Sequence, residues 1–234
     1  MHVRIPSSAL FCALVLSFSA LGCAAPQEDR FESINRPIQS FNDQTDRYLI
    51  RPVAVAYAYV MPDPLQSGVT NFFENLGYPL VILNQGLQGK PVLAVEDTTR
   101  FLVNSTLGVA GLFDVASGMG LRRHQEDFGQ TFGVWGVAPG DYLVLPLWGS
   151  VTVRDGIGDF IDTFLYPPRY LDNIALRNSL AGLELVNLRA DLLGADELVS
   201  GDRYIFFRDS YLQRREYLVN DGAVVEDAFL DDDF

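Results

Sequence analysis

The stretch NFFENLGYPLVILNQGLQGKPVLAVEDTTRFLVNSTLGVAGLFD, residues 71–114, decides how this chain is read. It holds two apolar runs, Leu76 to Leu87 and Phe101 to Phe113, joined by a polar turn. Asn75, Asn84, Gln85, Gln88 and Asn104 are threaded among its Leu, Ile, Val and Phe. A buried amide costs free energy unless it is hydrogen-bonded, so these side chains need protein partners or water. No charge falls between Glu74 and Lys90, yet that gap, residues 75–89, is shorter than the roughly 20 residues a helix needs to cross a bilayer. Three environments accept such a segment: the buried helix of a soluble protein, an interfacial helix lying in one leaflet, or the wall of a wet passage inside a membrane-embedded protein.

The same pattern extends in both directions. Counted from one charge to the next, the longer uncharged runs are 52–62, 75–89, 101–113, 128–140 and 142–153. None is long enough to span. Several short apolar pieces are what helices lying in a leaflet, or forming a ring through part of one, would show.

The start of the chain points to the envelope. Residues 1–22, MHVRIPSSALFCALVLSFSALG, carry one charge, Arg4, and then an apolar region of signal-peptide length. The ALGC at 20–23 resembles a bacterial lipoprotein processing site, with Cys23 as the acylated first mature residue and lipid anchor. Residue 24 is Ala and not Asp, which favours sorting to the outer membrane. Of the two cysteines, Cys12 leaves with the signal and Cys23 carries lipid. The mature chain then has no thiol for a disulfide or metal site.

The whole chain carries 17 Lys+Arg against 30 Asp+Glu, a net charge of −13, or −14 once Arg4 is gone. That balance repels nucleic acid and anionic lipid surfaces, so any lipid contact must be apolar and local. The mean hydropathy, +0.11, is high for a chain this acidic.

Residues 23–30 read as a lipidated tether, 31–222 as one domain and 223–234 as an acidic tail. A first helix is expected with Asn35 as cap, Pro37 in the first turn, and Ile34, Ile38, Phe41 and Tyr48 on one face. Tyr57 and Tyr59 suit a membrane interface or an ordinary half-buried site. YLVLPLW, 142–148, reads as a short extended segment whose Pro146 argues against a central strand. Further on, Asp155, Asp159 and Asp162 share a helical face, Leu176, Leu180, Leu183 and Ala190 form a stripe, and Tyr204, Phe207, Tyr211 and Leu218 face inward between Asp202 and Gly222.

Catalytic and metal signatures are weak. His124 is the mature chain's one histidine and reads as solvent-facing in a charged turn; there is no GxSxG elbow. The aspartates after Arg154 are as well explained by the helix dipole as by a metal. No cofactor, metal site or catalytic residue is expected.

NRPIQSFN (35–42), RPVAVAYAYVMP (51–62), NFFENLGYP (71–79), LNQGLQGK (83–90), TRFLVNSTLGVAGLFDVA (99–116), EDFGQTFGVWGVAPGDYLVLPLWGS (126–150) and RDGIGDFID (154–162) together resemble the VacJ/MlaA family of outer-membrane lipoproteins. The resemblance runs over about residues 30–218. It implies a mainly all-α fold with little or no β, a ring-like bundle of short amphipathic helices embedded in the periplasmic leaflet. It also implies trimeric outer-membrane porins and a soluble periplasmic lipid carrier as partners, and a polar passage for phospholipid misplaced in the outer leaflet. Asn75, Asn84, Gln88 and Asn104 are the passage candidates. Arg100, Arg154 and Arg177 are further candidates, either as phosphate partners or in ion pairs with Asp114 or Asp155. Asn35, Phe41 and Asn42 match the family's N-terminal motif and are candidates for gating. A lipid-hydrolysing enzyme and a purely structural porin-associated lipoprotein remain the alternatives.

Overall fold

The computed structural model describes residues 29–223; the expected signal peptide, Cys23, most of the tether and the tail from 224 lie outside the described residues. Among these residues the protein is helical apart from one hairpin, as expected. The chain enters α1 (Glu32–Thr45), passes through a π-helical turn at Asp46–Ile50 and continues into α2 (Arg51–Val60) without leaving helical geometry. Met61 turns the chain into α3 (Asp63–Leu87), which pairs with α4 (Pro91–Thr106) as the dominant helical hairpin. Both α3 and α4 begin with proline in the first turn, where its missing N–H removes no helical bond.

After α4 the chain makes a tight loop in which Val109 and Ala110 adopt positive φ. Gly111 (φ 89°) has no room for a side chain: a Cβ there would sit 2.4 Å from the Cβ of Asn75. The loop thus clamps the residue before the first apolar run. Two short helices follow, α5 (Val115–Gly118) and α6 (Phe128–Val134), then strands β1 (Tyr142–Leu145) and β2 (Gly149–Thr152). The strands are antiparallel, with Tyr142 opposite Thr152 and Leu145 opposite Gly149. Pro146 lies in the connecting turn, where its lack of an N–H costs the ladder nothing. The chain closes with α7 (Val153–Leu165), α8 (Ile174–Asp191) and α9 (Arg203–Val219).

Burial is inverted relative to a water-soluble domain. Thirteen polar or charged residues are buried among the described residues, against nine apolar ones, while Tyr59 (88% exposed), Val60 and Val92 point outward. Solvation by water would leave this apolar exterior at a cost of about 25 cal/mol per Å². No helix among the described residues is long and apolar enough to cross a membrane.

Three expectations for element faces change accordingly. Helix α1 starts at Glu32, not at an Asn35 cap, and Pro37 falls inside it. Only the Ser33 carbonyl loses its partner to Pro37, a cost the helix absorbs. Ile34, Phe41 and Tyr48 face outward, while Asn35, Ile38 and Asn42 face the protein. On α8, Leu176 is exposed, and the inward line runs through Leu180, Glu184, Asn187 and Ala190. On α1 the apolar spacing marks a face that points outward apart from Ile38, whereas on α8 Leu180, Leu183 and Ala190 of the expected stripe stay on the inward side. On α9 the expected inward residues hold: Tyr204 is buried, Tyr211 packs on Tyr142, and the Asp202 side chain caps the helix.

Candidate functional site

Between α3, the 121–127 loop, α6 and α9 lies a cavity of about 530 Å³. Helix α3 contributes Glu74, Gly77, Tyr78 and Val81, four positions of one helical face; the loop contributes Arg123 to Asp127, and α9 contributes Tyr211, Arg214, Arg215 and Leu218. The lining thus carries charged groups, although the exposed side chains of α3 and α6 include Leu65, Leu83, Leu87 and Val134.

Salt links hold the walls. Arg123 reaches Glu74 at 2.6 Å and Asp114 at 2.7 Å. Arg215 forms a fork on Asp127, at 2.6 and 2.9 Å, and also reaches Asp155 at 3.0 Å, so it ties α9 to both α6 and α7. Lys90 joins Glu126 at 3.0 Å and also contacts Asp221. Burial alone would raise the Asp127 and Asp155 carboxyls, but hydrogen bonds and charge from Arg215 outweigh it and hold both below the usual range. Burial raises Glu74 despite Arg123 nearby.

His124 is not the solvent-facing residue that its charged neighbours suggested. It lines the cavity, half-buried, with Nδ1 2.9 Å from Asp97 Oδ2. Asp97 is fully buried and also accepts from Gln85, and its burial raises its carboxyl. No serine, threonine or cysteine among the described residues bonds the other ring nitrogen, so the pair has no nucleophile attached.

The residues picked from the sequence sit one layer behind the lining. Asn75 donates to Ser105 Oγ at 2.9 Å and leaves Oδ1 buried without a partner. Asn84 donates to Leu80 O and accepts from Thr131 Oγ1 at 2.7 Å. Gln88 donates to Glu126 at 2.9 Å and to Thr131, so it braces a lining residue. Arg100, 1% exposed, donates to Tyr78 Oη at 2.8 Å and pairs with Asp114 at 2.9 Å. Asn104 donates to the same Asp114 oxygen at 3.0 Å and accepts from the Ala116 N–H. Arg154 pairs with Asp155 at 2.9 Å. For Arg100 and Arg154 the structure therefore realises the ion-pair alternative. Arg177 stands apart, in a second cavity of about 450 Å³ with Tyr166, Arg169 and Glu184.

At the N-terminal motif, two asparagines strap α1 to the hairpin. Asn35 donates to Tyr142 O at 3.0 Å and accepts from Val144 N–H at 2.9 Å. Asn42 donates to Leu145 O at 3.0 Å and accepts from Leu147 N–H at 2.8 Å. Each amide stands in for a neighbouring strand, one to β1 and one to the turn. Phe41 lies beside them, 51% exposed on the outer face.

Sequence reading did not find Arg123, Arg214 and Arg215 as a group, since they lie about ninety residues apart. Two adjacent arginines inside an otherwise acidic chain were the available signal.

The comparisons with known proteins converge. The family model for the MlaA lipoprotein matches residues 27–218. The intermembrane phospholipid transport system lipoproteins MlaA of Escherichia coli (strain K12) and Shigella flexneri are each 37% identical to the chain, covering 96% of it and 92% of their own length. The corresponding protein of Haemophilus influenzae is 32% identical over 93% of the chain. A solved chain from work on the structural basis for maintenance of bacterial outer membrane lipid asymmetry superposes with a TM-score of 0.73 at 39% identity, covering 83% of this chain and all of that one. With one family model matched across almost all the described residues and full-length relatives above 30% identity, the chain belongs to the MlaA lipoprotein family.

Proposed function

We propose that this protein gives phospholipids a passive polar passage from the outer leaflet of the outer membrane to a soluble periplasmic carrier, and so maintains the lipid asymmetry of that membrane. One observation carries the reading: a protein with a largely apolar exterior has an open cavity of about 530 Å³ whose walls carry charged side chains beside apolar ones. Lifting a two-chain phospholipid into water would expose about 30 methylenes, roughly 24 kcal/mol at about 0.8 each. A polar cavity open to a lipid-facing surface lets the headgroup move through it while the chains stay in hydrocarbon. No nucleotide site is readable in the sequence, so the direction of flow belongs to partners.

The protein sits in the periplasmic leaflet, anchored through acylated Cys23, with its apolar helix faces in lipid. A trimeric porin packs against part of that exterior. Its role in this reading is that of a transport component rather than a catalyst, in keeping with the names of its relatives. Asn35 and Asn42 hold the hairpin against α1, and Phe41 wedges beside them, so this corner sets how readily the passage opens. Asn75, Asn84, Gln88, Arg100, Asn104 and Arg154 serve the passage from behind, by keeping the lining side chains in place.

The test is a plug. A Cβ at Gly77 meets nothing within 4 Å, and the position lines the cavity, so Gly77→Trp fills the passage without straining α3. In a deletion strain, a wild-type copy is expected to restore low surface-exposed phospholipid, and Gly77→Trp at equal abundance is expected to fail. Full rescue by the plugged protein would refute the passage.

A further inference from the structure

Every carboxylate that lines the cavity already has a cation. Glu74 is taken by Arg123, Glu126 by Lys90 and Asp127 by Arg215. Of the lining cations, Arg123 and Arg215 are consumed in these links. Arg214 is different. It lines the cavity at its exposed rim, has no carboxylate within 4 Å among the described residues, and its one hydrogen bond is from Nη2 to the neutral Gln125 Oε1 at 3.2 Å.

We infer that Arg214 is the residue that recognises the phosphodiester of a glycerophospholipid headgroup at the mouth of the cavity, a reading that rests on the passage proposed above. A guanidinium presents five N–H donors in a planar fork, and one contact to an amide leaves most of them for two phosphate oxygens. The surrounding charges set the selectivity. Paired carboxylates on the remaining walls leave no second site for an anion, and the overall negative charge of the chain disfavours small anions elsewhere. His124 lies on the same lining, with Nδ1 committed to Asp97. Tyr211 and Leu218, on the same face of α9 as Arg214 and Arg215, provide apolar surface for the glycerol. Gln125 keeps the guanidinium over the opening without neutralising it, which a glutamate there would do.

Purified full-chain protein in detergent separates the possibilities, with dihexanoylphosphatidylglycerol below its aggregation threshold, dihexanoylglycerol and inorganic phosphate as probes. The wild type is expected to bind the short-chain phospholipid, and Arg214→Ala to weaken it about fivefold, as for an exposed charge-assisted contact. Arg214→Lys is expected to restore part of that loss, and dihexanoylglycerol to bind no better than to Arg214→Ala. Arg214 makes no ion pair among the described residues, so melting temperatures are expected to match. Unchanged affinity of Arg214→Ala, or inorganic phosphate bound as tightly as the phospholipid, overturns the assignment. These outcomes are independent of the plug. Rescue by Gly77→Trp would remove the passage, whereas unchanged Arg214→Ala affinity beside a working plug would remove only this residue's role.

Discussion

Asp114 carries more of the fold than its position in a short loop suggests. It caps α5 through Ser117 N–H, accepts from Asn104, and pairs with both Arg100 and Arg123. Burial would raise its carboxyl, but hydrogen bonds from Ser117, Arg123 and Asn104 outweigh it and hold the group well below the usual carboxylate range. A folded-state value below the unfolded one gives stability that is present above about pH 4 and is lost as pH falls below it. Asp114→Asn strands the buried Arg100 and is expected to cost about 3 kcal/mol, read as a denaturation midpoint in detergent. Asp162 has the opposite sign. Burial raises its carboxyl to about 6, although Phe128 N–H donates to it, and one oxygen is left without a partner. Here the folded state binds the proton more tightly, so stability falls as pH rises from about 4 to 6. Asp162→Asn is expected to flatten that slope and to raise stability at neutral pH by about 1 kcal/mol, discounted for its partial exposure. Melting curves across that range decide the matter: a slope unchanged in the variant would contradict it.

At the scale of elements, helix faces and glycines set the packing. Helix α7 meets α6 through Gly158, where a Cβ would lie 2.3 Å from the Gly129 backbone nitrogen. Backbone cannot yield as a flexible side chain does, so Gly158→Ala is expected to cost about 2 kcal/mol, whereas Gly77→Ala on the open face of α3 is expected to leave the melting temperature unchanged. The hairpin depends on amides of another element. Asn35→Ala removes a donor and an acceptor on β1 and leaves Tyr142 O and Val144 N–H short of partners, at about 2 kcal/mol. Proteolysis of the 142–152 hairpin is expected to speed up in that variant, and equal cleavage rates would contradict the strap. On α1 the apolar spacing was legible, but which way it pointed was not, since periodicity reports that a helix has two faces and not which of them meets the protein.

Over the whole molecule, the apolar exterior predicts behaviour independent of the lipid anchor proposed at Cys23. Cys23→Ala is expected to lose covalent lipid yet still co-sediment with phospholipid vesicles, equally at low and high salt, because the attraction is apolar and the net charge of the protein is negative. Release by salt would point instead to an electrostatic contact. The short uncharged runs were enough to show that none of them is long enough to span a membrane, and the long motifs pointed to the family and, through that resemblance, to a mainly helical fold. The candidate amides and arginines were legible as residues with an unusual setting, since an amide in an apolar run must find a partner. For Arg100 and Arg154 the ion pairs with Asp114 and Asp155 were legible as one of two alternatives. The partners of the amides, and the pairing of Arg215 with Asp127 and Asp155, were not, because these join positions that only the fold brings together. The sequence by itself determined which side chains required hydrogen bonds and which surfaces required an apolar neighbour. Only the tertiary structure decided that the amides close on hydroxyls and carboxylates such as Ser105, Thr131, Glu126 and Asp114 while Arg214 is left facing the cavity, because polar pairing depends on distances across the chain that local spacing does not encode.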